Sequence, residues 1–188
     1  RVLEDLFSCN DFCVISPISY AGKTRISKNA RFMFGLVVEL DNLKVSKTGK
    51  QIGLYELINQ WGEKVSWIPC PTYCVASGTG IHLYYLFERP LPLFENVVRG
   101  LQVYKRQLTE KIWNRNVTTT FTKETIQQES VFQGFRMVGT ITKKGDRVRA
   151  FKTGNRVSID YMNSFISADH LRRHPECKIE NIYKSNLT

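Results

Sequence analysis

The sequence predicts a mixed α/β (α+β) domain, and three observations carry that prediction. The run from Arg31 to Asp41 (RFMFGLVVELD) is almost continuously apolar and becomes β-branched towards its end, the pattern of a buried strand. Two longer stretches, Gln51 to Trp61 and Phe94 to Trp113, repeat apolar residues at helical spacing. Between them lie two short strand-like runs, about 72–76 and 81–87, joined by Ser77-Gly78-Thr79-Gly80. The signals alternate without an internal repeat or a low-complexity linker, so residues 1–188 are expected to form a single domain.

The elements follow in chain order. In the first helix Leu54, Leu57, Ile58 and Trp61 share a face. The glycines after Ser77 supply the positive φ that a tight turn needs, and Pro90 and Pro92 are expected to close the hairpin. Val97, Leu101, Tyr104, Leu108 and Ile112 make the apolar stripe of the second helix. Phe135 to Thr142 reads as a further strand, and Val148 to Ile159 as a hairpin turning at Thr153-Gly154-Asn155. Ser158 is placed to cap a last helix from about Asp160 to Ile166.

Composition excludes several classes. With 42% hydrophobic and 23% charged residues the chain is neither a disordered tail, a collagen-like fibre nor a disulfide-stapled miniprotein. No window reaches the ~18 consecutive apolar residues of a membrane span, and the first residues lack a signal-peptide layout, so a cytoplasmic protein with no membrane partner is expected. The chain begins with Arg1, so a fragment of a longer protein is expected. The net charge of +10 is concentrated: residues 99–156 hold 13 basic and 4 acidic side chains, against 10 and 9 in residues 1–98 and 4 and 4 in residues 157–188. Such a one-signed segment suits a polyanion, although a solvated basic face without a partner has the same composition. The five cysteines are Cys9, Cys13, Cys70, Cys74 and Cys177, an odd number that argues against a disulfide framework. Two C-x3-C pairs and His170-x3-His174-x2-Cys177 could ligate zinc, but Cys74 sits in an apolar run where a small buried hydrophobe is the commoner meaning, so zinc is not expected.

Three constellations carry chemistry. Glu39 and Asp41 stand one residue apart at the end of the buried strand, so period-two geometry puts both carboxylates on one face. They are either solvent-facing strand-end residues or a ligand pair for a hard divalent cation, which would relieve their mutual repulsion. The turn Ser77-Gly78-Thr79-Gly80 can approach phosphate oxygens closely, and alternation behind it puts His82, Tyr84 and Leu86 on one face, with Ile81, Leu83, Tyr85 and Phe87 on the other. A structural histidine behind an ordinary turn is the plain alternative. Third, Glu129 precedes the strand bearing Arg136, followed by Lys143, Lys144 and Arg147: a third carboxylate with cationic ligands for phosphate, or simply a basic hairpin.

Together and in this order these elements resemble the archaeo-eukaryotic primase superfamily, the primase-polymerases, especially single-chain members of plasmids, phages and integrated bacterial elements. Val37-Val38-Glu39-Leu40-Asp41 resembles its first motif, and Ser77 to His82 is similar to its Ser-x-His element in an extended form. Glu129 leading to Phe135-Arg136 resembles the third, and Ile15 to Tyr20 with Lys28 to Arg31 resembles the lead-in of mobile-element members. The likeness spans most of residues 12–165. Glu39 and Glu129 depart from the usual Asp but keep the carboxylate.

The resemblance implies an archaeo-eukaryotic primase catalytic fold with an RNA-recognition-motif-like sheet core. It implies a nucleotidyltransferase, a DNA primase or primase-polymerase, acting in the replication of a mobile element. Glu39, Asp41 and Glu129 would hold two Mg2+ or Mn2+ ions. Ser77, Gly78, Gly80, His82, Arg136 and Lys143 would bind the nucleoside triphosphate. A single-stranded DNA template would follow Lys144, Arg147, Arg149 and Lys152, with Tyr84 or Phe135 stacking on bases, and a helicase domain or protein is a further expected partner. A noncatalytic single-strand-binding module and a zinc-stabilised structural domain are the rival readings.

Overall fold

The computed structural model describes residue 5 and residues 12–62, 67–78, 80–119, 126–142 and 144–180. Its centre is a five-stranded antiparallel sheet. In chain order the elements are β1 (Val14–Ile15), β2 (Ile18–Tyr20), β3 (Ala30–Leu40), α1 (Ile52–Gly62), β4 (Tyr73–Ala76), β5 (Ile81–Pro92), α2 (Glu95–Ile112), β6 (Phe135–Arg136), β7 (Arg149–Lys152), α3 (Ile159–Asn163) and α4 (Ala168–Arg173). The sheet runs β2-β3-β5-β4-β7, and β1 pairs with β6 in a separate two-stranded ribbon.

The apolar pattern of β3 and β5 divides the sheet into two faces. Leu36, Val38 and Leu40 of β3 and Leu83, Tyr85 and Phe87 of β5 enter the main core, where they meet Leu57 of α1, Leu101, Leu108 and Ile112 of α2, and Met162 of α3. Met33 joins the same core although it is three residues from Leu36, because the register is irregular between Met33, opposite Leu91, and Gly35, opposite Leu86, and the alternation restarts there. Val37 and Tyr84 face the other way, into a smaller cluster with Val75, Phe135 and Val148. The ribbon strand β6 is thereby held over the second face.

Several sequence expectations are corrected. β5 does not close at Pro90 and Pro92 but runs through them, pairing Pro92 with Phe32, and α2 begins only after Phe94. The strand expected over Phe135 to Thr142 shrinks to Phe135–Arg136, because a turn from Met137 to Thr140 leads into a tight loop closed by an Ile141–Arg147 bridge. The hairpin expected over 148–159 is not formed. β7 pairs with β4 instead, and Val157 bridges Phe87 in parallel. Ser158 does cap α3, accepting a hydrogen bond from the Tyr161 amide.

Candidate active site

β3 ends at Leu40, and the next two residues define how its end is presented. Asn42 adopts φ of 56°, a left-handed conformation that Asn tolerates, and its carbonyl accepts hydrogen bonds from the amide (2.9 Å) and hydroxyl (3.2 Å) of Thr119. The stretch after α2 therefore straps the strand end that carries Asp41. Across the sheet Glu39 pairs in register with His82, which pairs in turn with Val75. Directly opposed residues share a face, so Glu39 and His82 meet: His82 Nε2 lies 3.3 Å from Glu39 Oε1.

Glu129 arrives from the segment before β6. Its Oε1 accepts from Gln133 Nε2 at 2.8 Å, while its Oε2 is buried without a hydrogen-bond partner, 3.7 Å from the Lys105 ammonium of α2. Glu129 also stands close enough to Glu39 for the two carboxyls to share a proton. The electrostatics follow from this geometry. The hydrogen bond from His82 holds the Glu39 carboxyl below its usual range in spite of burial. Burial, followed by the charge of Glu39, raises Asp41. Burial, the contact with Glu39 and its charge push Glu129 up to about 7. The Glu39–Asp41 pair at the end of β3 and Glu129 from the segment before β6 thus sense one another, and a cation among them would relieve their repulsion.

Among the described residues no three His, Cys, Asp or Glu side chains are already drawn into a common ligand shell. The donor set nevertheless fits a hard divalent cation: only carboxylate oxygens, excess negative charge, and an unpartnered buried Glu129 oxygen.

The turn behind the site is built around the carboxylate. A Cβ on Gly80 would overlap the Leu40 carbonyl and the Asp41 carboxylate, so only glycine lets the turn lie against the end of β3. Gly78, at φ of 119°, packs on the Thr142 side chain. The glycine turn and the basic loop 142–147 are therefore neighbours. Lys143 itself lies outside the described residues, but the Thr142 amide donates to the Asp146 carbonyl across that loop and the Thr142 hydroxyl accepts from the Lys144 amide. Ser77 is buried and donates its hydroxyl to the Gly80 carbonyl at 3.1 Å, so that proton is engaged within the turn.

Arg136 sits on β6 with its guanidinium 4.6 Å from the centroid of the exposed Phe12 ring, and its Nη1 is buried without a hydrogen-bond partner. Tyr84 and Phe135, expected to stack on bases, are instead buried against each other, 6.1 Å between centroids, and beside His82. They brace the site from beneath and present no face to a base. Arg147 donates to the Gly139 carbonyl at 2.9 Å. Register divides the other two expected template cations: Lys152 opposes Tyr73 on the carboxylate face, whereas Arg149, three residues earlier, points to the opposite one.

Lys105 is the residue that sequence reasoning missed. It is 3% exposed, donates to the Ser130 carbonyl at 3.2 Å and lies 5.5 Å from the Phe135 centroid. Its position was readable in principle, since it falls four residues after Leu101 on the inward stripe of an otherwise apolar helix face. Of the zinc candidates, Cys9 lies outside the described residues. Cys13, Cys70, Cys74 and Cys177 are free thiols, Cys74 and Cys177 buried, and the rings of His170 and His174 stack 4.8 Å apart.

No helix among the described residues is long and apolar enough to cross a membrane. No family model matches the sequence, and no curated protein matches it significantly. A solved structure, the AEP domain of the cyanophage S-2L primase-polymerase (PrimPol), is similar to the chain with a TM-score of 0.54 and 16% identity, covering 82% of this chain and 69% of that one. The chain thus has the fold of the archaeo-eukaryotic primase domains.

Proposed function

We propose that this chain is a primase-polymerase domain that performs template-directed nucleotidyl transfer, making primers on single-stranded DNA in the replication of a mobile element. The observation that carries the reading is the convergence of Glu39, Asp41 and Glu129 with His82 on one sheet face of this fold. Glu39, Asp41 and Glu129 would hold Mg2+ or Mn2+. Bound there, the ions supply activation of a 3′-hydroxyl and neutralisation of the triphosphate. His82 holds Glu39 in place through Nε2. The Ser77–Gly80 turn, set against Asp41 by Gly80 and against Thr142 by Gly78, supplies close-lying backbone, and Arg136 and Lys143 supply positive charge for the phosphates. Lys144, Arg147 and Lys152 attract the template backbone, whereas Arg149, on the other face of the sheet, takes no part. No residue here needs to form a covalent intermediate, so positioning and charge neutralisation account for the chemistry.

The test is primer synthesis and extension on single-stranded DNA with Mn2+ or Mg2+. Asp41→Asn keeps shape and removes a charged ligand, so folding and DNA binding should survive while synthesis disappears. Glu39→Asp only shortens the arm and should retain measurable synthesis. Wild-type rates in folded Asp41→Asn protein would overturn the two-metal reading and favour a noncatalytic binding module.

A further inference from the structure

A cavity lies away from the carboxylates, on another flank of α2. Lys105 reaches the candidate active site, whereas Gln107 and Lys111 are turned by roughly 200° and 240° from it around the helix at 100° per residue. The cavity has a volume of about 870 Å³, the scale of a small-ligand pocket, and its walls include Gln60, Trp67, Gln107, Lys111, Arg115 and Phe165.

Four features of these walls are unspent. Trp67 is 60% exposed, a large flat apolar surface that the fold does not cover. The Lys111 ammonium lies 5.4 Å from the Trp67 ring centroid and donates to the Phe165 carbonyl at 2.6 Å, but forms no ion pair with a carboxylate among the described residues. Burial lowers its pKa, and no described anion reverses that effect. Arg115 stands exposed at the rim, just past the end of α2, with no described carboxylate partner for its guanidinium. The Gln60 Oε1 atom is buried and lacks a hydrogen-bond donor.

A ligand that satisfies all four has a flat aromatic ring with an exocyclic amine, joined to an anionic group. We infer that this cavity is a second binding site, for an amino-bearing nucleoside phosphate such as an adenine nucleotide. The base stacks on Trp67, its amine donates to Gln60, and the phosphates take Lys111 and Arg115 as counter-ions. The site is separate from the proposed catalytic centre and needs no metal, so the inference does not rest on the proposed function.

The experiment is a titration of the whole chain with ATP in excess EDTA, read by the indole N–H resonance of Trp67 and by calorimetry. Trp61 and Trp113 are buried, which leaves Trp67 as the exposed indole. ATP should shift the Trp67 resonance saturably. Adenosine and inorganic triphosphate should each bind at least about tenfold more weakly, and inosine triphosphate, which lacks the amine, should bind more weakly than ATP. Arg115→Ala touches no described structural contact and should weaken ATP about tenfold, as should Trp67→Ala. Lys111→Gln keeps a donor to Phe165 while removing the charge and should do the same. No Trp67 shift, unchanged affinity in folded Arg115→Ala and Trp67→Ala proteins, or binding of oligo(dT) but not ATP at Trp67 would each overturn the assignment.

Discussion

Replacing Lys105 by Met keeps most of the side-chain volume and removes the buried ammonium. At 3.7 Å from Glu129 Oε2, an effective dielectric constant near 20 gives a gross attraction of about 4.5 kcal/mol. Desolvation of both groups offsets much of this, leaving a net effect of about 2 kcal/mol. Its sign depends on pH. Glu129 has its folded pKa pushed up to about 7 from an ordinary 4.5, so its ionisation opposes folding progressively as pH rises through that window. Burial lowers the pKa of Lys105, so its charged form is itself unfavourable when no anion faces it. At pH 5.5 Glu129 is largely protonated, Lys105 keeps only the weaker attraction of Glu39 against its own burial, and Lys105→Met should be close to neutral in stability. At pH 8 Glu129 is ionised, and without Lys105 it faces the charges of Glu39 and Asp41 uncompensated. The variant should then be destabilised by about 2 kcal/mol, roughly 4–8 °C in melting temperature for a chain of this size. Urea unfolding of wild type and variant with EDTA at both pH values measures the difference. Equal destabilisation at pH 5.5 and pH 8 would show that Lys105 acts through packing and that the charge argument is wrong.

Three further outcomes follow from the geometry. His82→Ala removes the donor that fixes Glu39 and should lower primer synthesis at least about tenfold while single-strand affinity by fluorescence anisotropy stays unchanged, with His82→Gln recovering part of the activity; equal loss of both would make His82 a folding residue. Gly80→Ala forces the turn off Leu40 and Asp41, so thermal melting should show a loss of at least about 1 kcal/mol together with loss of synthesis; wild-type behaviour would mean that the close approach is unimportant. Template affinity should fall log-linearly with salt, and Lys144→Ala with Lys152→Ala should flatten the slope by about 1.4, whereas Arg149→Ala, on the other face, should leave it; the reverse pattern would put the template path on the opposite side of the sheet.

What the sequence discloses here depends on how far each signal has to reach. The faces of β3 and β5 were legible because alternation is a local property: one residue's burial fixes the next, and Leu83, Tyr85 and Phe87 enter the core as expected while His82 and Tyr84 turn away. The bounds of α1 and α2 were legible for the same reason, within two residues at each end, whereas α3 stops three residues short of the expected Ile166 and α4 was not anticipated. The short strands were not, since β6 and β7 are defined by partners far away in sequence, β1 and β4, and nothing within Phe135 to Ile159 states which partner wins.

The site shows the same division more sharply. Glu39 and Asp41 advertise themselves by spacing, and Gly80 by the turn it makes, but the reason only glycine fits at position 80 is the Leu40 carbonyl and the Asp41 carboxylate at the end of the neighbouring strand β3. Tyr84 and Phe135 looked like stacking surfaces because aromatic residues near cations commonly are, yet the β1–β6 ribbon packs Phe135 edge-on against Tyr84 and His82 and buries both rings. Lys105 is the converse case. On a helix it reads as one more charge in a basic segment, and only the docking of α2 turns that charge inward onto Glu129. A charge excess counted along residues 99–156 therefore overstates the surface field: part of it is internal, committed to holding a carboxylate cluster that would otherwise repel itself.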